Sequence, residues 1–544
     1  MYRTQNITYL FTALVILLSN VSCKNQPTDD SQVFYYNESS GVQTLDPAFA
    51  RSQSVMWTVH QLYNTLVEID SNLNIVPGIA KRWNISPDRL VYTFYLRDSI
   101  YFHDNDAFPN GRGRKLTASD VAYSLNRIID PATASPGAWI FNERINKDGF
   151  RAVNDTIFEL HLSRPFHPIL GILSMQYCSI VPKEAVEKYG KDFRKHPCGT
   201  GPFRLRYWDE GQAMVLEKNT NYWEYDSSGK RLPYLKAISI SYNTNKATEF
   251  LLLRQNKLSF INDVDAAFKD EVISKKGELR DEWKDKFVLK KGPFMNVEYY
   301  GILVDENNPL VKNSPLKIKK IRQAINYGID RKKFMLYLRN SLGMAAEAGF
   351  VPRGLPSENT EFVKGYNYDP AKALQLLKEA GFPKGKNLPV IKLISVPMYA
   401  DIGSFVAREL ENIGIKLQLE VLQKSVLMEQ TAKSQAAFFR GSWIADYPDA
   451  ENYLAVFYSK NPAPPNYTRY NSAAYDRLYE EAIRETNDSL RYNLYRKMDQ
   501  MIMNDAPIVP LFYDEVIRLV QPKVKNFYSD PMNMLELRRV YMEE

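Results

Sequence analysis

The chain has 544 residues, 44% of them hydrophobic and 24% charged, with a formal net charge of +7. That length exceeds one ordinary domain and predicts several cores, while the composition excludes both wholesale disorder and a multi-span membrane protein. The small basic surplus is dispersed, with Lys/Arg runs no longer than short stretches such as Gly111–Lys115 (GRGRK), which gives nucleic acid no continuous surface to bind.

Arg3 precedes an apolar stretch, Tyr9–Leu18 (YLFTALVILL), and small and polar residues lead from it to Cys23. This is the layout of a secretory signal. The apolar run is about half the ~20 residues a spanning helix needs, which disfavours the alternative of a permanent transmembrane anchor. Ser22 before Cys23 resembles a lipoprotein processing site, at which the cysteine is acylated and becomes the new N-terminus, although Asn20 stands where such sites usually carry Leu. Plain cleavage is the alternative. Residues 1–23 are therefore read as a lipoprotein-type signal peptide and Lys24–Ser31 (KNQPTDDS) as a polar tether. An exported chain occupies an extracytoplasmic space that permits disulfides, so Cys178 and Cys198 are candidate partners, the other reading being two buried free thiols.

Strands and helices then alternate. Leu90, Tyr92, Phe94 and Leu96 recur at period two and predict a half-buried strand, broken at Asp98. Pro109–Lys115 (PNGRGRK) reads as an exposed loop with solvated basic residues. Thr117 is an expected N-cap for a helix through Val121, Leu125 and Ile128, ended by Asp130-Pro131. Gly199–Pro202 (GTGP) fails the dinucleotide fingerprint, since Pro202 has no N–H to offer a phosphate, and reads as a tight backbone crossing. Asp369-Pro370 supplies an N-cap and an N1 proline to a helix stopped by Gly381. Ile402, Phe405, Val406, Leu410 and Ile413 repeat the helical spacing, Gly414 ends it, and Ile415, Leu417, Leu419 and Val421 switch to strand period. The pattern is that of an α/β protein.

Catalytic signatures are missing: there is no G-x-S-x-G, H-E-x-x-H or P-loop, and none of the five histidines pairs at the spacing of a helical zinc site. No enzyme activity, cofactor or metal is expected. Phe438–Leu454 (FFRGSWIADYPDAENYL) is different, for it sets Arg440 and Asp446 around Trp443 in an apolar and aromatic stretch, where charges need partners. Either the two pair with each other or with neighbours as a structural salt bridge, or they meet the charged ends of a ligand.

Many strings in order carry a family resemblance: TLDPAFA near Asp46, PGIAKRWNISPDRLVYTFYLRDSIYFHD at Pro77–Asp104, LTASDVAYSLNRIIDP at Leu116–Pro131, CGTGPFRLRYW at Cys198–Trp208, KNTNYW at Lys218–Trp223, IRQAINYGIDR at Ile321–Arg331, YNYDPAKALQLLKEAGF at Tyr366–Phe382, the Trp443 segment and APIVPLFY at Ala506–Tyr513. From Leu45 to Tyr513 the chain resembles the solute-binding proteins of ABC importers in the peptide/nickel class, particularly oligopeptide- and dipeptide-binding proteins. The resemblance implies a periplasmic-binding-protein-like fold, two α/β lobes joined by crossing hinge segments with an extra α/β subdomain on the N-terminal lobe: 24–60, 198–294 and 510–544 as lobe I, 61–197 as the subdomain, 295–509 as lobe II. It implies a monomer that receives short peptides between its lobes, hands them to importer permease subunits and is held to a bacterial membrane by its lipid anchor, periplasmic or at the cell surface. Asp446 matches the aspartate holding a peptide's ammonium, Arg440 an arginine contacting a carboxylate, and Ser52, Gln53, Trp139 and Trp443 would line the cleft. Asn105 departs from the family's usual Gly, and the basic loop before Thr117 looks like an insertion. Other solutes (a metal chelate, a sugar, a signalling peptide) suit the same fold, and an extracytoplasmic hydrolase or sensor lipoprotein is the reading from another class.

Overall fold

The computed structural model describes residues 30–543; the signal peptide, Cys23 and most of the tether lie outside the described residues. The chain builds two α/β lobes. The first holds a four-stranded sheet in which Val33–Asn37 runs parallel to Ala237–Ser241, followed by Ala213–Lys218 and Phe203–Asp209. Beside it a second four-stranded sheet, ordered Ala80–Ile85, Val91–Leu96, Ile157–Leu162, Ile145–Asn154, forms the extra subdomain. One continuous apolar core, including Phe34, Trp57, Phe94, Leu125, Phe158 and Ile238, joins the two.

The other lobe is organised by a seven-stranded sheet around two long antiparallel strands, Val288–Ile302 and Ile508–Val520. Their lower halves pair near the first lobe, Val288 opposite Val520, and their upper halves in the second, Gly301 opposite Ile508. Between Pro293 and Val297 the register shifts, the local bend that a β-bulge introduces. These are the crossing segments that join the lobes. Two further cores, one around Phe350, Tyr453 and Met498 and one around Ile325, Leu393 and Leu410, fill the second lobe.

Local expectations hold where the chemistry is local. Val91–Leu96 is a strand with alternating burial. The helix Ala118–Ile129 starts at Thr117, whose N–H donates to Asp120 Oδ2 at 2.9 Å in a capping box. Asp369 caps Pro370–Glu379 by accepting from the Lys372 N–H at 2.8 Å. Gly414, at φ +89, ends the turn that leads from the helix Ala400–Glu411 to the strand Leu417–Val421. The GTGP crossing is as tight as expected: the Gly201 N–H donates to Leu62 O at 3.0 Å, and a Cβ on Gly199 would stand 2.0 Å from that oxygen.

Two expectations are corrected. Arg114, read as solvated, forks onto Asp120 and Glu184 with contacts of 2.6 Å to each, because the loop folds back over the helix start, where Asp120 is buried. Cys178 and Cys198 are not bonded. Each is a buried free thiol, one directed at Ile172 O (3.3 Å) and the other at His103 O (3.5 Å), and burial pushes both thiols up and keeps them protonated.

Candidate ligand-binding cleft

Where the extra subdomain faces the second lobe, a cavity of about 800 Å³ opens between them, within the range of small-ligand sites. Trp139, Arg144 and Phe166 line one wall, and Trp443, Asp446 and Asn452 line the other. Trp443 belongs to the strand Phe438–Ile444, which pairs with Val288–Ile302, so the rigid inter-lobe sheet itself carries the second wall.

Asp446 sits just past the end of that strand. Asn452 fixes it: the Asn452 Oδ1 accepts from the Trp443 indole (2.9 Å) and the Asp446 N–H (3.2 Å), which turns its amide Nδ2 to donate to Asp446 Oδ2 at 3.2 Å. Among the described residues no lysine, arginine or histidine forms an ion pair with Asp446. Its side chain is open to the water of the cavity yet crowded by protein on the remaining sides, and this burial, reinforced by the charge of Glu451, raises its pKa. The next carboxylate, Glu451, is fully engaged, accepting from the hydroxyls of Tyr447 and Tyr479. The cleft thus presents, in Asp446, a carboxylate with neither a countercharge nor a hydroxyl donor among the described residues, on a mount fixed by Asn452, between two indoles.

Arg440 is not among the residues lining this cavity, and of its two expected arrangements it adopts the ion pair with a neighbour. Residues 440 and 443 are separated by an odd number of positions, so the pleat turns them to opposite faces of the strand. On its face the half-buried Arg440 guanidinium binds the buried Glu298 at 2.6 Å and stacks on Tyr399 at 4.1 Å. The Glu298 carboxylate holds Arg440 protonated despite its burial. Trp139 is 40% exposed toward the cavity, as a surface waiting for a partner would be. Ser52 and Gln53 are not part of it: Ser52 stands at the N-cap of the helix Gln53–Leu62 and borders a second cavity of about 780 Å³ with Arg51, Thr133 and Lys191. Buried Tyr177 stands between the two spaces, close enough to feel Asp446 from one side and Arg51 from the other.

Sequence reasoning alone does not single out Asn452 and Glu298. Asn452 lies in the same Trp443 segment, six residues past Asp446, so a carboxylate in need of an orienting donor was the available clue. For Glu298 it was a lone acid inside the apolar run 295–302, which demands a buried partner.

The fold is that of a known family. The bacterial extracellular solute-binding proteins, family 5, match residues 74–465, and the chain belongs to that family, whose members are binding proteins. It is 28% identical over 494 residues to heme-binding protein A of Haemophilus influenzae, covering 87% of this chain and 85% of that protein. It is 26% identical over 536 residues to the periplasmic oligopeptide-binding protein OppA of Salmonella typhimurium, covering 94% and 93%. Among solved structures, DppA of Helicobacter pylori in complex with the peptide STSA superposes with a TM-score of 0.74 at 25% identity, over 94% of this chain and 98% of that one. HbpA2 of Haemophilus parasuis reaches 0.80 at 23% identity, over 94% and 100%, a likeness of fold. No helix among the described residues is long and apolar enough to cross a membrane.

Proposed function

We propose that this protein captures short peptides in the cavity between its lobes, with Asp446 taking the α-ammonium, and delivers them to an ABC-type importer. The observation that carries the reading is a crowded, unpaired carboxylate held in place by Asn452 on the wall of a roomy cavity. Such a group stabilises a cationic guest, and every unmodified peptide brings one at a fixed end. The indoles of Trp443 and Trp139 offer flat apolar surface to side chains of any identity, and water in the remaining volume adapts to each guest at modest cost. The relatives named for oligopeptides and dipeptides support the same reading.

We propose further that acylation of Cys23 tethers the receptor to a membrane, plain cleavage of the signal being the alternative. Intact-mass measurement of the membrane-extracted protein checks this, a lipid-bearing N-terminal cysteine being the expected result.

Calorimetry with tri-, tetra- and penta-alanine tests the binding role. Asp446→Asn removes one partner of a desolvated charge pair, which costs about 2–5 kcal/mol, or roughly 30-fold or more in affinity, with an unchanged melting temperature. N-terminal acetylation of the peptide should reproduce that loss on the unaltered protein. If Asp446→Asn binds as tightly as the unaltered protein, the reading is wrong.

A further inference from the structure

With Arg440 committed to Glu298, the far end of a peptide needs a different partner, and the cavity contains one. Most charged residues on its walls are already answered. Arg164 lies 4.0 Å from Glu143, Lys460 is paired with Glu480, and Glu451 accepts from two tyrosine hydroxyls. Arg484 is exposed one helical turn beyond Glu480 and acts on that same carboxylate. With Glu451 occupied by tyrosine hydroxyls and Arg484 exposed at the rim beside Glu480, the charged groups on opposite walls that have neither an ion pair nor a neighbouring opposite charge of this kind among the described residues are Asp446 on the second lobe and the half-buried Arg144 on the subdomain. Arg144 is nonetheless held. One guanidinium nitrogen donates to Ile140 O at 2.8 Å and the plane lies 4.2 Å from the centre of the Phe166 ring, which leaves its other N–H groups to offer. The residue before it, Glu143, sits in the left-handed region at φ +56, a conformation that persists in a non-glycine residue when the surrounding structure enforces it.

We infer that Arg144 is the carboxylate-recognising residue of this receptor, so that a ligand lies across the cavity with its ammonium on Asp446 and its carboxylate on Arg144. A planar guanidinium braced by a ring and a carbonyl loses little freedom on binding, and its fork matches both carboxylate oxygens. The inference rests on the peptide reading above and adds the residue that distinguishes a free C-terminus from a blocked one. It also places the two charges on different lobes, so the zwitterion itself bridges them.

The test measures affinities for tri-, tetra- and penta-alanine and for their C-terminal amides with the purified protein and with Arg144→Gln, Arg144→Lys and Arg51→Gln. The unaltered protein should prefer the free acids by roughly tenfold or more. Arg144→Gln should abolish that preference by weakening the acids while leaving the amides unchanged, and Arg144→Lys should restore part of it. Equal losses for acids and amides, or no loss, would overturn the assignment. So would loss of the preference in Arg51→Gln alone, which would send the carboxylate past Tyr177 into the second cavity. Asp446→Asn separates the two claims: if it still binds all six peptides normally, the peptide reading fails at its root, whereas a normal Asp446 effect with an unresponsive Arg144 removes only this inference.

Discussion

At Asp446 the same burial that prepares the carboxylate for a cation also makes it sensitive to acid. Its pKa is raised, so as the pH falls the proton arrives sooner than at a solvated aspartate, near ~3.9, and the charge proposed to hold the ammonium is lost. Affinity for an amidated peptide, which has no carboxylate of its own to titrate, should therefore fall on acidification with an onset above that value. Asp446→Asn should show a flat, weak profile; a pH titration by calorimetry checks both. Arg440 and Glu298 predict something else. Glu298→Gln leaves a half-buried guanidinium without its counterion, at a cost below the roughly 3–5 kcal/mol of a fully buried pair, visible as a lowered midpoint in denaturant unfolding, while peptide affinity stays unchanged. The sequence presented Arg440 and Asp446 as an equivalent pair. Arg440 turns to Glu298, a sheet partner 142 positions earlier, while Asp446 lies past the strand end beside Asn452, and no local pattern contains the first of these partners.

At the scale of elements, what could be read in advance was what is settled within a few residues: the alternation of Val91–Leu96, the start at Thr117, the Asp-Pro helix entry at Asp369, the turn at Gly414. The GTGP segment belongs here as well, since two glycines flanking Thr200 signal a close approach even when the element approached is unknown. That element is the end of the helix Gln53–Leu62, and a Cβ on Gly201 would meet Leu62 C at 2.4 Å and Tyr63 N at 2.6 Å. Backbone cannot step aside as a side chain can. Gly201→Ala should destabilise the fold by about 1–3 kcal/mol or more, measured as a drop in melting temperature, with His103, which binds both Gly199 and Gly201, displaced alongside. Arg114 and the two cysteines escaped such reading because their partners, Glu184 for the one and separate carbonyls for the others, are chosen by tertiary packing.

At the scale of the whole molecule the lobes touch beside the cavity. Arg89 donates to Thr486 O, His167 lies 3.1 Å from Asp488, and a Cβ at Gly171 would stand 3.2 Å from Tyr447 Cβ. A guest that fills a space with such a rim has to enter through a wider form, and a guest that contacts both walls favours the narrower one. Small-angle scattering should show the radius of gyration fall when a saturating peptide is added, and an unchanged radius would count against closure. The architecture itself follows from the family, while the particular contacts at the rim do not.

The lobes are also less separable than two bodies on a thread. Val288–Ile302 and Ile508–Val520 each serve both, and Phe260–Asn262 of the first half completes its pairing on the lower end of the latter. A cut in the chain near residue 294 divides a strand that both cores need, so a gene fragment for either half alone encodes a protein with raw sheet edges. Such halves have reason to find each other, and a nicked or co-expressed pair would be expected to reassemble around the shared ribbon instead of behaving as independent modules.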